Sequence, residues 1–255
     1  MRLQVSFSAL LAVLAALALA AGIPVHAQSS SSQASSVQTP EAESIANGTY
    51  TPSNPLGEVS YDNRFDMSLG MAYDHMKAGP TLLQGSNLGG LDLTGSMWLT
   101  RKWAVEATTR AYVGTSGAAP NSPYNIRGPM VKQYFFTAGP EWLGPHNEHG
   151  AIIAHVMMGG VYGDFQKDLL GQPPSIVDFY NNQIAPAIIV GGHFDLNRSE
   201  RWVFRVTPDA VITHYSINYA PHTSQFDVNF AISVGMEYKF RGKRSHQKGN
   251  WKSGW

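Results

Sequence analysis

The sequence predicts an all-β protein, an eight-stranded antiparallel up-and-down transmembrane β-barrel, and three observations carry that prediction. The first is strict alternation over residues 226–240, where Phe226, Val228, Phe230, Ile232, Val234, Met236, Tyr238 and Phe240 interleave with Asp227, Asn229, Ala231, Ser233, Gly235, Glu237 and Lys239. A period of two gives one apolar and one polar face, and the run is far longer than the five or six residues usual in soluble strands. The second is that eight such segments fit between 61 and 240. The third is that no apolar run of about eighteen residues follows position 27, so any membrane crossing must use strands rather than helices.

The chain opens with Arg2, an uncharged apolar run from Ala9 to Ala21, and Gly22 to Ala27. This is the layout of a secretory signal peptide cleaved after Ala27, so residues 1–27 are set apart from the fold. Residues 28–60 are rich in Ser, Gln, Thr and Pro, including the run Ser29 to Ser32. Such a composition buries too little apolar surface to fold and predicts a flexible leader.

Alternation then begins. The first predicted strand, 64–75, sets Phe65, Met67, Leu69, Met71 and Tyr73 against Asp66, Ser68, Gly70, Ala72 and Asp74. The second, 88–99, sets Leu91, Leu93, Met97 and Leu99 against Asp92, Thr94 and Ser96. After Thr100-Arg101-Lys102 the third, 103–113, sets Trp103, Val105, Ala107 and Val113 against Glu106, Thr108 and Arg110. The fourth, 130–142, has Tyr134, Phe136 and Trp142 outward with Gln133, Thr137 and Glu141 inward. The fifth, 151–162, turns Ile152, Val156, Met158 and Tyr162 outward and His155 inward; the sixth, 184–196, turns Ile188, Val190 and Phe194 outward and His193 inward. The seventh, 201–215, sets Trp202, Phe204, Val206, Ala210 and Ile212 against Arg205, Thr207, Asp209 and Thr213. The 226–240 run is the eighth.

The links alternate too. Long ones (76–87, 114–129, 163–183 and 216–225) follow the odd strands, and the even strands end in tight turns. Long loops at one rim and short turns at the other are the pattern of outer-membrane barrels, with both termini periplasmic. Phe65, Trp103, Trp142, Trp202 and Phe240 fall at the short-turn rim and are expected to form its interface girdle; Tyr73, Tyr134, Tyr162 and Phe226 fall near the other.

The chain has 18 Lys and Arg, 18 Asp and Glu, and no cysteine. Disulfides and thiolate metal sites are therefore excluded. The charge is unevenly spread. Residues 241–255 hold five Lys/Arg and no acid, leaving twelve basic and eighteen acidic residues in 28–240. An acidic body gives no sign of nucleic-acid binding.

The expected lumen charge network comprises Asp66, Glu106, Arg110, Arg205, Asp209, Asp227 and Glu237, with Asp92, Lys239, His155 and His193 also facing inward. An eight-stranded barrel leaves only enough interior for side chains, and buried charges must be paired, so these residues are expected to plug the lumen. A constricted, gated pore is the sharper alternative. No histidine spacing matches a metal-binding motif, so no metal site and no cofactor are expected. Gly89-Gly90, Gly159-Gly160 and Gly191-Gly192 lie inside strands, where glycine marks bends or close packing.

With these segments, the signal and the closing Met236-Glu237-Tyr238-Lys239-Phe240, the chain resembles the eight-stranded outer-membrane β-barrel family of OmpA-like transmembrane domains and small porin-like barrels. Trp202-Val203-Phe204-Arg205-Val206-Thr207-Pro208-Asp209 and Thr213-His214-Tyr215 are similar to that group as well. The resemblance implies a Gram-negative outer-membrane location among lipid and lipopolysaccharide. It also implies recognition of the closing strand by the barrel assembly machinery, and a monomer with a non-enzymatic structural or surface role and at most limited passive solute or ion passage. Two departures stand out: fifteen residues follow Phe240, and no folded peptidoglycan-binding domain fits. A small channel is one alternative; a soluble barrel carrying an apolar ligand, as lipocalins do, is another. A third is a lipid A deacylase-like enzyme, suggested by the His214-Tyr215-Ser216 spacing. Against it, Ile217 separates Ser216 from Asn218 and no outward Glu lies on the eighth strand.

Overall fold

The computed structural model describes residue 56 and residues 59–82, 84–117, 124–219 and 224–240. The expected signal peptide (1–27), nearly all of the leader (28–60) and the basic tail (241–255) lie outside the described residues. The described chain forms eight strands: β1 Phe65–Met76, β2 Ser86–Trp98, β3 Trp103–Thr115, β4 Met130–His146, β5 Gly150–Asp164, β6 Gln183–Asn197, β7 Trp202–Ser216 and β8 Ser224–Lys239. Each pairs antiparallel with its neighbour in sequence, and β8 pairs with β1 from Asp66↔Lys239 to His75↔Phe230, closing the barrel. Closure leaves no unpaired strand edge. The Phe240 amide continues the seam by donating to the Phe65 carbonyl at 3.0 Å.

The tight turns share one device. Thr100 Oγ1, Asn147 Oδ1 and Ser199 Oγ accept from the backbone N–H three residues on, at Trp103, Gly150 and Trp202, over 3.0, 3.0 and 3.2 Å. A short polar side chain at the first turn position supplies the bond that the reversing backbone cannot make to itself. This is why the three short links have Thr, Asn and Ser three residues before the next strand begins.

The faces follow the alternation. Met67, Leu69, Met71, Leu91, Leu93, Phe136, Met158, Ile184 and Val228 are all exposed on the outer wall, Met71 by 76% and Ile184 by 80%. The inward positions hold Asp, Glu, Arg, His, Ser and Thr packed to near-zero exposure. A soluble barrel would bury its apolar face; this wall turns it outward, as a lipid-facing surface requires. Among the described residues no helix is long and apolar enough to cross a membrane.

One half of the interior departs from the expected polar lumen. Near the long loops the inward positions are Met76, Leu88, Tyr112, Phe135, Met157, Val161, Ile189, Val211 and Tyr215, which form one apolar cluster. The β5–β6 connection, with a single 3-10 turn at Pro174–Ile176, caps it by inserting Phe165, Leu169, Phe179 and Tyr180. Phe165 meets Tyr180 and Tyr215 edge-on, at ring centroid separations of 5.7 and 5.1 Å. The Tyr180 amide donates to the Ala78 carbonyl at 2.9 Å, tying this cap to the β1–β2 link. At that junction only glycine fits position 79: a β-carbon there would stand 1.8 Å from the Asp178 carbonyl oxygen.

Candidate functional site: a charged network across the lumen

The middle of the lumen is filled by one connected set of side chains. Arg110 on β3 pairs with Asp92 on β2 (Nε to Oδ2, 3.1 Å) and with Asp209 on β7 (2.5 Å). Thr94 and Thr108 both donate to Asp92 Oδ1 at 2.9 Å. The other Asp209 oxygen lies 2.9 Å from His155 Nε2 on β5. His155 Nδ1 in turn lies 2.9 Å from Glu106 Oε2, and His193 Nε2 lies 3.3 Å from the same oxygen. His193 Nδ1 ends the chain on the Thr207 hydroxyl at 2.8 Å. Every one of these groups is buried.

Register makes this possible. His155 stands opposite Gly191 on β6, and Gly191 stands opposite Asp209 on β7. A β-carbon at Gly191 would come within 1.9 Å of Asp209 Oδ1. The missing side chain is the space through which the Asp209 carboxylate crosses β6 to reach His155.

Nearer the short turns lies a second network. Arg205 makes a bidentate pair with Asp195 at 2.8 and 2.9 Å and a further ion pair with Glu237. Asp66 Oδ2 accepts from the Trp98 indole at 2.6 Å and from the Asn63 amide at 3.1 Å. Tyr61 closes this end: its hydroxyl donates to the Asn147 carbonyl at 3.1 Å and accepts from Asn197 at 2.8 Å, while Lys239 Nζ sits 4.1 Å from its ring centroid. Burial pushes the Tyr61 phenol up to about 12. Two small cavities of about 10 Å³ each lie among the described residues of the interior, one between Tyr61, Trp98 and Lys239 and one between Ser68, Asp92 and Arg205.

The structure draws the sequence-predicted charges into different places. Glu106, Arg110 and Asp209 share the central network, and Arg205 and Glu237 the lower one, with Asp66 beside Trp98. Asp227 stands apart from both: it is half-buried at the long-loop end and accepts from the Tyr180 hydroxyl at 2.5 Å. Phe65, Trp103, Trp142, Trp202 and Phe240 all lie exposed at the short-turn rim, Trp103 directly opposite Trp142 in register. Asp195, Asn197, Tyr61 and inward-facing Trp98 are the members that sequence reasoning missed. Parity along β6 and β2 carried the signal for Asp195 and Trp98, since both share a face with charged inward residues. Tyr61 precedes its strand and has no parity to read.

The pair His214 and Ser216 lies half-buried on the outer wall of β7. The Ser216 hydroxyl donates to Gln183 Oε1 at 3.0 Å, and the His214 ring packs on Phe226 at 4.3 Å between centroids. Serine and histidine are therefore engaged with other partners, the reverse of what activating a nucleophile requires.

No family model matches this chain, and no curated protein sequence does. Among solved structures it is similar to Ail, the attachment invasion locus protein of Yersinia pestis, with 17% identity over 70% of this chain and 99% of that one, TM-score 0.44. It is similar to OprG from Pseudomonas aeruginosa, with 15% identity over 72% and 99%, TM-score 0.48. The outer membrane protein W of E. coli matches with 14% identity over 71% and 100%, TM-score 0.39.

Proposed function

We propose that this protein is an outer-membrane β-barrel, both termini periplasmic, with a non-enzymatic structural or surface role and a lumen closed to steady solute flow. The observation that carries the closed lumen is Arg110, which joins Asp92 and Asp209 from opposite sides of the interior. Below it Arg205 holds Asp195 and Glu237, and above it the apolar cluster and its cap fill the remaining cross-section. A conducting pore needs continuous hydrated space, and around Arg110 and Arg205 the described side chains leave two voids of only about 10 Å³. The outward apolar wall supports insertion among lipid and lipopolysaccharide, and the aromatic residues at the short-turn rim suit the headgroup region there. The alternating closing strand is the segment an assembly machinery would engage. The exposed wall serves a monomer in lipid, with no second chain needed to cover it.

Planar-bilayer recording of the purified protein tests the closed lumen. The expected trace is flat at moderate voltage; stable, reproducible conductance steps from the wild type would overturn it in favour of a small channel. Urea washing of membranes tests the location: the protein is expected to stay in the membrane fraction, and release as a folded soluble monomer would refute the barrel's place in lipid. Hydrolysis of lipid A by the wild type, lost in Ser216→Ala, would replace the non-enzymatic reading.

A further inference from the structure

Three donor atoms converge in the middle of the lumen. Glu106 Oε2, His155 Nδ1 and His193 Nε2 are separated by 2.9, 3.2 and 3.3 Å. Ligand atoms around a tetrahedral zinc ion stand roughly 3.3 Å apart, given Zn–N lengths of about 2.0 Å. The trio is thus already at the spacing that a shared divalent cation imposes, with no strand needing to move.

The outer atoms of the same residues are oriented as metal ligands require. His155 Nε2 faces an Asp209 oxygen, which can only accept, so that nitrogen carries a hydrogen, and a divalent ion would take the place of the hydrogen that Nδ1 otherwise donates to Glu106 Oε2. His193 Nδ1 rests on the Thr207 hydroxyl. Carboxylate and hydroxyl partners on the far ring nitrogen are the outer shell that orients histidines toward a metal. A divalent ion bound by the three inner atoms would displace the hydrogens they share in its absence. Glu106 Oε1 also stands buried with no hydrogen-bond partner.

Charge in the lumen points the same way. Eight buried carboxyl groups (Asp66, Asp74, Asp92, Glu106, Glu141, Asp195, Asp209 and Glu237) face three buried basic side chains, Arg110, Arg205 and Lys239, among the described residues. A divalent ion would add positive charge to this acid-rich interior at the point where two imidazoles and a carboxylate can hold it.

We propose that Glu106, His155 and His193 form an intramembrane binding site for a borderline-soft divalent transition-metal ion of the zinc class, with Asp209 and Thr207 as positioning residues. Two imidazoles and one carboxylate suit zinc better than the all-oxygen shells of calcium or magnesium. Because the site is enclosed, the ion is captured as the barrel closes, and it pins β3, β5 and β6 to one another.

The test is refolding of the full chain from urea into detergent micelles with Zn²⁺ or Co²⁺, followed by chelator washing and elemental analysis. Folding of every variant is checked by β-sheet circular dichroism. One retained equivalent is expected in the wild type, with the strong visible absorption of four-coordinate Co²⁺. Glu106→Gln and His193→Gln should each lose most of it. Thr207→Ala, which leaves all three ligands, should weaken affinity roughly tenfold or more. His149→Gln, in an exposed turn, should change nothing. Folded wild type that retains no metal, its trio then keeping those hydrogens instead, would overturn the proposal; so would retention unaffected by Glu106→Gln and His193→Gln.

Discussion

Arg110 reaches Asp209 at 2.5 Å although β3 and β7 stand four strands apart on opposite sides of an eight-stranded wall. The bond spans the lumen, and it holds because an eight-stranded barrel is no wider than two facing side chains. A second Arg110 contact, to Asp92 on the adjacent strand, fixes the guanidinium at the base from which it spans.

Removing that bridge leaves two buried carboxylates without their cation. Arg110→Ala is therefore expected to destabilise the barrel by about 3–5 kcal/mol. Urea titration of the refolded protein in detergent measures it. Arg110→Met, which keeps the bulk, should be nearly as costly if charge dominates; near-wild-type stability would show that volume dominates instead.

Gly191 supplies the room for the Asp209 carboxylate, and Gly191→Ala would place a β-carbon 1.9 Å from Asp209 Oδ1 and 2.5 Å from the Pro208 carbonyl oxygen. Overpacking of this kind costs about 1–3 kcal/mol. Part of the cost should vanish in an Asp209→Ala background, giving a coupling of roughly 0.5–3 kcal/mol in a double-mutant cycle. Strict additivity would mean that the clash is with backbone alone.

Depth along the outer wall can be read with one charge at two positions. Leu69 lies half-way along β1 and Phe65 at its short-turn end, both exposed. Leu69→Arg should cost about 2–4 kcal/mol in lipid vesicles and Phe65→Arg only about 0–1. Equal penalties would contradict a belt with a midplane at Leu69.

Alkaline stability should follow Tyr61. Burial raises its phenol in the folded protein to about 12, while the unfolded chain ionises near the ordinary value of 10.0. Between these values the unfolded state has lost the proton that the folded state keeps, so stability falls as pH rises through that window. Below pH 10 this residue contributes no slope. Tyr61→Phe should flatten the decline measured by urea unfolding at pH 9 to 12, even though it also loses the Asn197 bond.

Local chemistry alone determined a good deal here. Alternation set which residues share a face, so the strands, their number, the short and long rims and the inward side of Glu106, Arg110, Arg205 and Asp209 could be read from residue parity. Side-chain period is a property of the extended backbone and needs no knowledge of the partner strand. The stretches Tyr134-Phe135-Phe136 and Ile188-Ile189-Val190, apolar on both faces, were passed over in that reading, and they mark the filled half of the lumen.

What parity could not decide is which inward residue meets which. Closure and register bring β3 to β7 and set Glu106 against His155 and His193, contacts between residues 49 and 87 positions apart. Asp227 has the right parity, yet at the far end of β8 it bonds to Tyr180 of a connection that no periodicity describes. The tertiary structure decided the partners because electrostatic contact depends on distance across the lumen. That distance is fixed by how eight strands close, and no single strand contains it.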